Sequence, residues 1–223
     1  MKKTFKIKSV LAIVVIFSTF SCSSDDESPQ PTPQPINYTN YTKTIKPDAT
    51  EGQDAFIYEF NVNQQLGSHP DFMVGRYNGN ETRNLIRFDF SDIPTNAVVD
   101  SVKISLYSYQ STSNGSHAGA NASKLQRVTS TWDESTVTWS NQPTSTSDDE
   151  VLLDQTTSTI QDYLDINVTL MARVMIANPS QNFGFLFRLQ DNSGADKKMV
   201  FASSDNTDSD LHPKIDVYYR IAE

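Results

Sequence analysis

Apolar and polar residues alternate with a period of two in several short stretches of this chain. Over 83–90, Ile86, Phe88 and Phe90 fall on one side, and Leu85, Arg87 and Asp89 on the other. Over 101–109, Val102, Ile104 and Leu106 share a face opposite Lys103, Ser105 and Tyr107. This pattern predicts strands buried on one side. Strands are also predicted over 54–60, 124–128, 136–140, 162–168, 183–189, 199–203 and 214–221. One helix is predicted over 169–177, with Leu170 and Val174 on its apolar face, Asn167 or Thr169 as cap and Pro179 as stop. Asn78-Gly79, Asn114-Gly115 and Ser193-Gly194 mark turns between these segments. Many short strands with one short helix predict an all-β fold, a jelly-roll β-sandwich of two antiparallel sheets, with eight or nine strands fitting the length.

The opening residues follow a different rule. Lys2, Lys3, Lys6 and Lys8 precede an apolar run from Val10 to Phe20, then Ser21 and Cys22. The run falls short of the ~20 apolar residues that a membrane-spanning helix needs. It has the length of a secretory signal core. Cys22 is the chain's single cysteine, which excludes an intrachain disulfide. The segment Thr19-Phe20-Ser21-Cys22 resembles a lipobox, with Thr19 and Phe20 in places usually held by Leu and a small residue. The resemblance implies that residues 1–22 are a lipoprotein signal ending at the lipid acceptor Cys22, with palmitate-type chains anchoring the protein to a membrane. Ser23 to Glu27 is acidic and resembles the signal that sends lipoproteins of the Bacteroidota to the outer face of the outer membrane. The alternating prolines of Ser28 to Pro35 favour an extended spacer, so 23–36 is read as a linker and 37–223 as the folded domain.

Composition supports a packed core, with 37% hydrophobic and 10% aromatic residues. The formal net charge is −9, and removing the signal takes four of the 18 basic residues and none of the 27 acidic ones, leaving −13. Such a domain repels polyanions, so nucleic acid is not an expected partner.

Several segments taken in order resemble the DNRLRE-domain proteins, which are related to the carbohydrate-binding modules of family 96. They are Asp54 to Ile57, Gly67 to Phe72, Arg83 to Pro94 with Ala97 to Tyr107, Leu125 to Pro143, and Phe183 to Lys214. The resemblance implies a jelly roll attached to secreted enzymes or cell-surface proteins, and with less force a polysaccharide ligand.

The candidate chemistry follows from that reading. Arg87 and Arg188 lie mid-strand opposite apolar neighbours, where a guanidinium can pair bidentately with a uronate carboxylate. Arg83, Arg76 and Lys198 are candidates to extend a basic patch, and Tyr107 to contact a ligand from the face opposite Leu106. A cross-strand salt bridge is the competing role for Arg87 and Arg188. Trp139, in phase with Val137, is read as a core residue, while Trp132 sits at a strand edge. No cofactor is required on this reading. Structural calcium is the one metal expected, with Asp54 and Asp216 supplying carboxylates from the first and last domain strands. His69 and His117 with Asp71 form a second candidate metal set, against the plainer role of hydrogen-bonded loop histidines.

The three histidines carry no nucleophile elbow or paired-His zinc motif. The expected function is therefore a non-catalytic surface lipoprotein binding polysaccharide, an acidic alginate-like one included. The alternatives are a structural or adhesive protein with a protein or matrix partner, and a polysaccharide-degrading enzyme.

Overall fold

A computed structural model describes residues 35–223. The signal segment, Cys22 and almost all of the linker lie outside the described residues. Eleven strands and one α-helix follow in order: β1 Tyr38–Ile45, β2 Gln53–Tyr58, β3 Asp71–Tyr77, β4 Asn80–Arg87, β5 Val98–Leu106, β6 Ser123–Val128, β7 Ser145–Leu153, β8 Tyr163–Asn167, α1 Thr169–Ala177, β9 Phe185–Leu189, β10 Lys197–Ala202 and β11 Lys214–Ala222. They form a smaller sheet of four strands, β1-β11-β5-β8, and a larger one of seven, β10-β3-β4-β9-β6-β7 with β2 also paired to β4. Every pairing is antiparallel. This is the all-β sandwich predicted from the alternating pattern.

The alternation has a physical cause visible in the core. Val102, Ile104, Ile215 and Val217 of the smaller sheet meet Val74, Ile86, Leu125, Phe187 and Phe201 of the larger one. Phe201 lies among Phe72, Phe187, Tyr163 and His117, with ring centroids 5.0–5.9 Å away. Such offset and tilted contacts suit aromatic quadrupoles. Helix α1 has the predicted bounds, but its buried face is Met171, Ala172, Met175 and Ile176, and Leu170 is exposed. The Leu170–Val174 face expected from sequence is thus rotated by about one residue.

Asn78-Gly79 closes the β3–β4 hairpin between Tyr77 and Asn80, both residues having positive φ (49° and 80°). Paired positive φ values define the two-residue turn whose twist matches flanking strands. The Asp196 carboxylate accepts from both turn N–H groups.

The outer side of the larger sheet is not open. Residues following β6 fold back over it and bury a second apolar cluster of Ala55, Ile57, Leu85, Val128, Trp132, Val137 and Leu186. The strand expected over 136–140 is absent; a short 3-10 turn, Trp139–Asn141, stands at its end. Asn141 causes this locally, since its Oδ1 accepts from the Thr138 N–H and its amide donates to the Thr136 carbonyl. Trp132 is only 7% exposed, and its Nε1 donates to the Phe183 carbonyl at 2.8 Å. Trp139 packs against this second cluster and not in the core between the sheets.

Candidate functional site

The smaller sheet presents an outer face that stays open to solvent. Tyr38, Asn40 and Thr42 of β1, Tyr218 and Arg220 of β11, Lys103 of β5 and Asn167 of β8 all remain partly or fully exposed. Their positions follow from register. Asn40 opposes Arg220 and Thr42 opposes Tyr218, while Tyr218 opposes Ser101 and Asp216 opposes Lys103. In-phase positions on neighbouring strands share a face, and the intervening Val217 and Tyr219 point into the core.

Two tyrosines dominate this face. Tyr38 is 39% exposed and Tyr218 38%. The Arg220 guanidinium lies 4.7 Å from the centre of the Tyr38 ring, and Lys103 Nζ 5.9 Å from that of Tyr218. Cations over rings hold them in place without covering all of their area. Each cation has an acidic partner as well: Arg220 with Asp100 at 3.6 Å, Lys103 with Asp165 at 3.9 Å and Lys214 with Asp216 at 2.9 Å. The face therefore carries polar groups and aromatic rings with little net charge.

The arginines singled out from sequence lie elsewhere. Arg83 and Arg188 project from the larger sheet and converge on the buried carboxylate of Glu81, at 2.6 and 3.2 Å. For Arg188 of β9 this is the competing cross-strand ion pair, and Arg83 shares the same acid from two residues along β4. Arg83 also stacks on Trp139 at 4.6 Å and donates to Gln142. Arg87 donates to Gln53 and lies 5.8 Å from the centre of the Trp132 ring. Arg76 donates to the Asn192 carbonyl at 2.9 Å, and Lys198 to the Asn114 carbonyl. Tyr107 follows β5 in the smaller sheet and acts electrostatically on Lys214. Five of the six candidates belong to four strands of the larger sheet, and Tyr107 lies past the end of β5, where its carbonyl accepts from Ala202 N.

The calcium pair is also separated. Asp216 bonds Thr44 and Lys214 within the smaller sheet, and Asp54 is the second residue of β2 in the larger one. What joins Asp54 is Glu134, from the loop after β6, and Asp205, from the turn after β10. One carboxylate oxygen from each lies within 4.8 Å of the others. Ser204 N donates to Asp54 Oδ2 at 2.9 Å, and Asp54 N donates to Glu134 Oε1 at 3.0 Å. Burial pushes Asp54 up to about 7 against the backbone and side-chain hydrogen bonds of Ser204, with the charge of Asp205 adding to the rise. Burial likewise pushes Glu134 up to about 7, helped by the charges of Asp54 and Asp205. Asp205 is raised by burial, against the pull of His212. Gly67 makes room for Glu134, since a Cβ there would stand 2.4 Å from the Glu134 carbonyl oxygen and 2.5 Å from its Cγ.

Sequence reasoning found Asp54 and missed its partners, because Glu134 and Asp205 are distant in the chain and only the fold juxtaposes them. Tyr38, Tyr218 and Arg220 were missed for a related reason. Nothing in a local pattern says which sheet face stays uncovered.

The histidines are held by backbone groups. His117 Nδ1 accepts from Val200 N at 2.8 Å and its Nε2 meets the Gln161 carbonyl at 2.8 Å. Both ring nitrogens are engaged, so the His69–His117 metal set does not assemble. His69 faces Asp71 instead, with Nδ1 3.1 Å from its carboxylate. His212 lies between the Pro47 and Asn206 carbonyls.

A family model described as carbohydrate-binding module family 96 matches residues 45–216. A search of curated proteins finds no match.

Proposed function

Because the chain belongs to carbohydrate-binding module family 96, we propose that it binds a polysaccharide across the open outer face of the smaller sheet. The observation that carries this reading is the pair of half-exposed tyrosines, Tyr38 and Tyr218, set in a field of hydroxyl, amide and compensated charged groups. A pyranose offers an apolar C–H face to such rings and hydroxyls to their polar neighbours. Tyr38 opposes Ala222, four residues beyond Tyr218, so the rings are offset by about 13 Å along the strand. A linear chain of several sugars spans such a distance.

The charge pattern favours a neutral glycan. The cations of this face are paired with acids, and a net charge of −9 for the full sequence repels polyanions. The acidic, alginate-like ligand expected from Arg87 and Arg188 has weaker support, since Glu81 neutralises Arg188. Affinity gel electrophoresis of the full chain in gels containing xylan, mannan, β-glucan or alginate separates these cases. Retardation by a neutral glycan, lost in Tyr38→Ala and Tyr218→Ala, is the expected result. Indifference to every glycan sinks the proposal, and retardation by alginate alone that depends on Arg87 moves the site to the larger sheet.

The proposal is for binding without turnover. The engagement of His69, His117 and His212 with backbone carbonyls and N–H groups supports it. Release of new reducing ends from a retained glycan would contradict it. The same proposal has the module displayed outside the cell, tethered by lipid on Cys22 and spaced by the 23–36 linker. Metabolic labelling with palmitate that is absent from Cys22→Ala tests the tether, and protease accessibility on intact cells tests the display.

A further inference from the structure

Strand β10 stands at an edge of the larger sheet and pairs with β3 on one side. On its other side, the segment 107–118 supplies partners for the outward backbone groups of every second residue. Ala202 N donates to the Tyr107 carbonyl, and Tyr109 N donates to the Val200 carbonyl. Lys198 and Ala118 bond each other in both directions, N–H to carbonyl. The remaining outward donor, the Val200 N–H, goes to a side chain: it donates to His117 Nδ1 at 2.8 Å. An imidazole nitrogen thus takes the place in this ladder that a strand carbonyl would hold.

Two fixed partners set the state of that ring. A backbone N–H only donates, so Nδ1 carries a lone pair; the Gln161 carbonyl, 2.8 Å from Nε2, only accepts, so Nε2 carries the hydrogen. The neutral ring satisfies both, whereas the protonated ring turns an N–H toward the Val200 N–H. His117 is 1% exposed and packs on Phe201 with ring centroids 5.0 Å apart, so water does not reach a displaced donor while the segment is closed. Burial lowers the His117 pKa, against the Gln161 carbonyl and the charge of Asp162. The other titratable groups around it are engaged elsewhere. Asp162 accepts from Ser108 N, Lys198 donates to the Asn114 carbonyl, and the Tyr163 hydroxyl donates to the Asp154 carbonyl.

We propose that His117 is a proton-operated latch on the edge of the larger sheet: neutral, it completes the ladder along β10; protonated, it releases the stem of the 107–118 segment and bares the edge at Val200. The tip of that segment responds differently. Asn114 donates to the Asp71 carboxylate at 2.6 Å, and His69, 3.1 Å from the same carboxylate, attracts it more strongly once charged. Mild acid therefore leaves the tip pinned and confines the opening to the stem. The latch is fully closed above the ordinary imidazole value of 6.5 and opens as pH falls through the lowered value of the folded ring. An unpaired strand edge is a template for another chain, so its cover decides when the sheet is free to extend. The latch stands independently of the glycan proposal, which concerns the face of the other sheet.

The test is amide hydrogen exchange of the full chain, followed by NMR from about pH 7 to 4.5 and corrected for intrinsic exchange, with the His117 ring resonance read in parallel. Below the folded pKa of His117, the Val200 amide is expected to lose protection by about tenfold per pH unit, with the Ala118 and Lys198 amides following it. The Val128 amide, bonded to the Gly184 carbonyl in the same sheet, should keep its protection. His117→Gln retains a donor and an acceptor but does not titrate, so its Val200 protection should stay flat over this range. His69→Gln should leave the Val200 response in place. Should His117→Gln fail to fold, the comparison of Val200 with Val128 in the parent chain decides. Constant Val200 protection overturns the proposal, whether the ring titrates or stays neutral throughout. Equal losses at Val200 and Val128 overturn it too, since the whole domain would then be opening, as does a Val200 response abolished by His69→Gln.

Discussion

Glu81 offers the sharpest measure of how charge is handled on the larger sheet. Its carboxylate is 4% exposed and is met by Arg83 at 2.6 Å and Arg188 at 3.2 Å. Glu81→Gln keeps the shape and removes the charge, leaving two guanidinium groups side by side with no acid between them. Breaking a buried pair by removing one partner costs about 3–5 kcal/mol. The arginine side chains keep 16% and 29% of their exposure, so water recovers part of that, and roughly 2–3 kcal/mol is the expected loss. For a domain of this size that lowers the melting temperature by roughly 5–10 °C. Differential scanning calorimetry at neutral pH measures it directly. Adding Arg188→Met to Glu81→Gln should recover part of the loss, since one unpaired cation is then gone. A melting temperature within about 1 °C of the parent would refute the argument, and would mean that both guanidinium groups are already solvated.

Four further outcomes follow. The part of Tyr218 left exposed amounts to roughly 75 Å², so covering it with a sugar is worth up to about 2 kcal/mol, and Tyr218→Ala should weaken glycan binding by about 20-fold in affinity electrophoresis, with Tyr218→Phe near the parent. Burial lowers the His117 pKa from 6.5, against the Gln161 carbonyl and Asp162, so its contribution to stability is complete above 6.5 and is lost as pH falls through the folded value; its ring resonance should titrate below 6.5 by NMR. His69 should titrate above 6.5 in the same spectra, because its hydrogen bond to Asp71 raises it, and its contribution is complete below 6.5 and lost as pH rises through the folded value. At Gly79, where φ is +80°, Gly79→Ala meets open space except for Arg76 at 3.5 Å, so its cost is backbone strain of about 1 kcal/mol in a chemical denaturation curve.

The strands that were legible in sequence are those with one wet face. β4 and β5 alternate because one side packs in the core and the other carries polar groups or the second cluster. β3 was missed because Asp71, Phe72, Met73, Val74 and Gly75 are all buried, which erases the alternation. β1 and β7 were missed for the opposite reason. Both are edge strands, rich in Thr, Ser and acids, with little buried surface to impose a period. The 136–140 segment alternates well, but Asn141 bonds back to its backbone and turns the chain before a ladder can form. Site residues were less legible than strands. Arg188 was visible as an outward cation, yet its partner Glu81 lies 107 positions away in sequence and only the register of β4 against β9 brings them together.

The unequal covering of the two sheets has a consequence for how recognition can change. On the larger sheet, replacing an outward residue disturbs the packing under the loop after β6, so variation there is restrained by folding. On the smaller sheet, Tyr38, Asn40, Thr42, Tyr218 and Arg220 touch solvent while their in-between neighbours hold the interior. Those five positions can be randomised together in a display library without altering the scaffold that supports them. New specificities should arise there first, whether by selection in the laboratory or by drift among relatives.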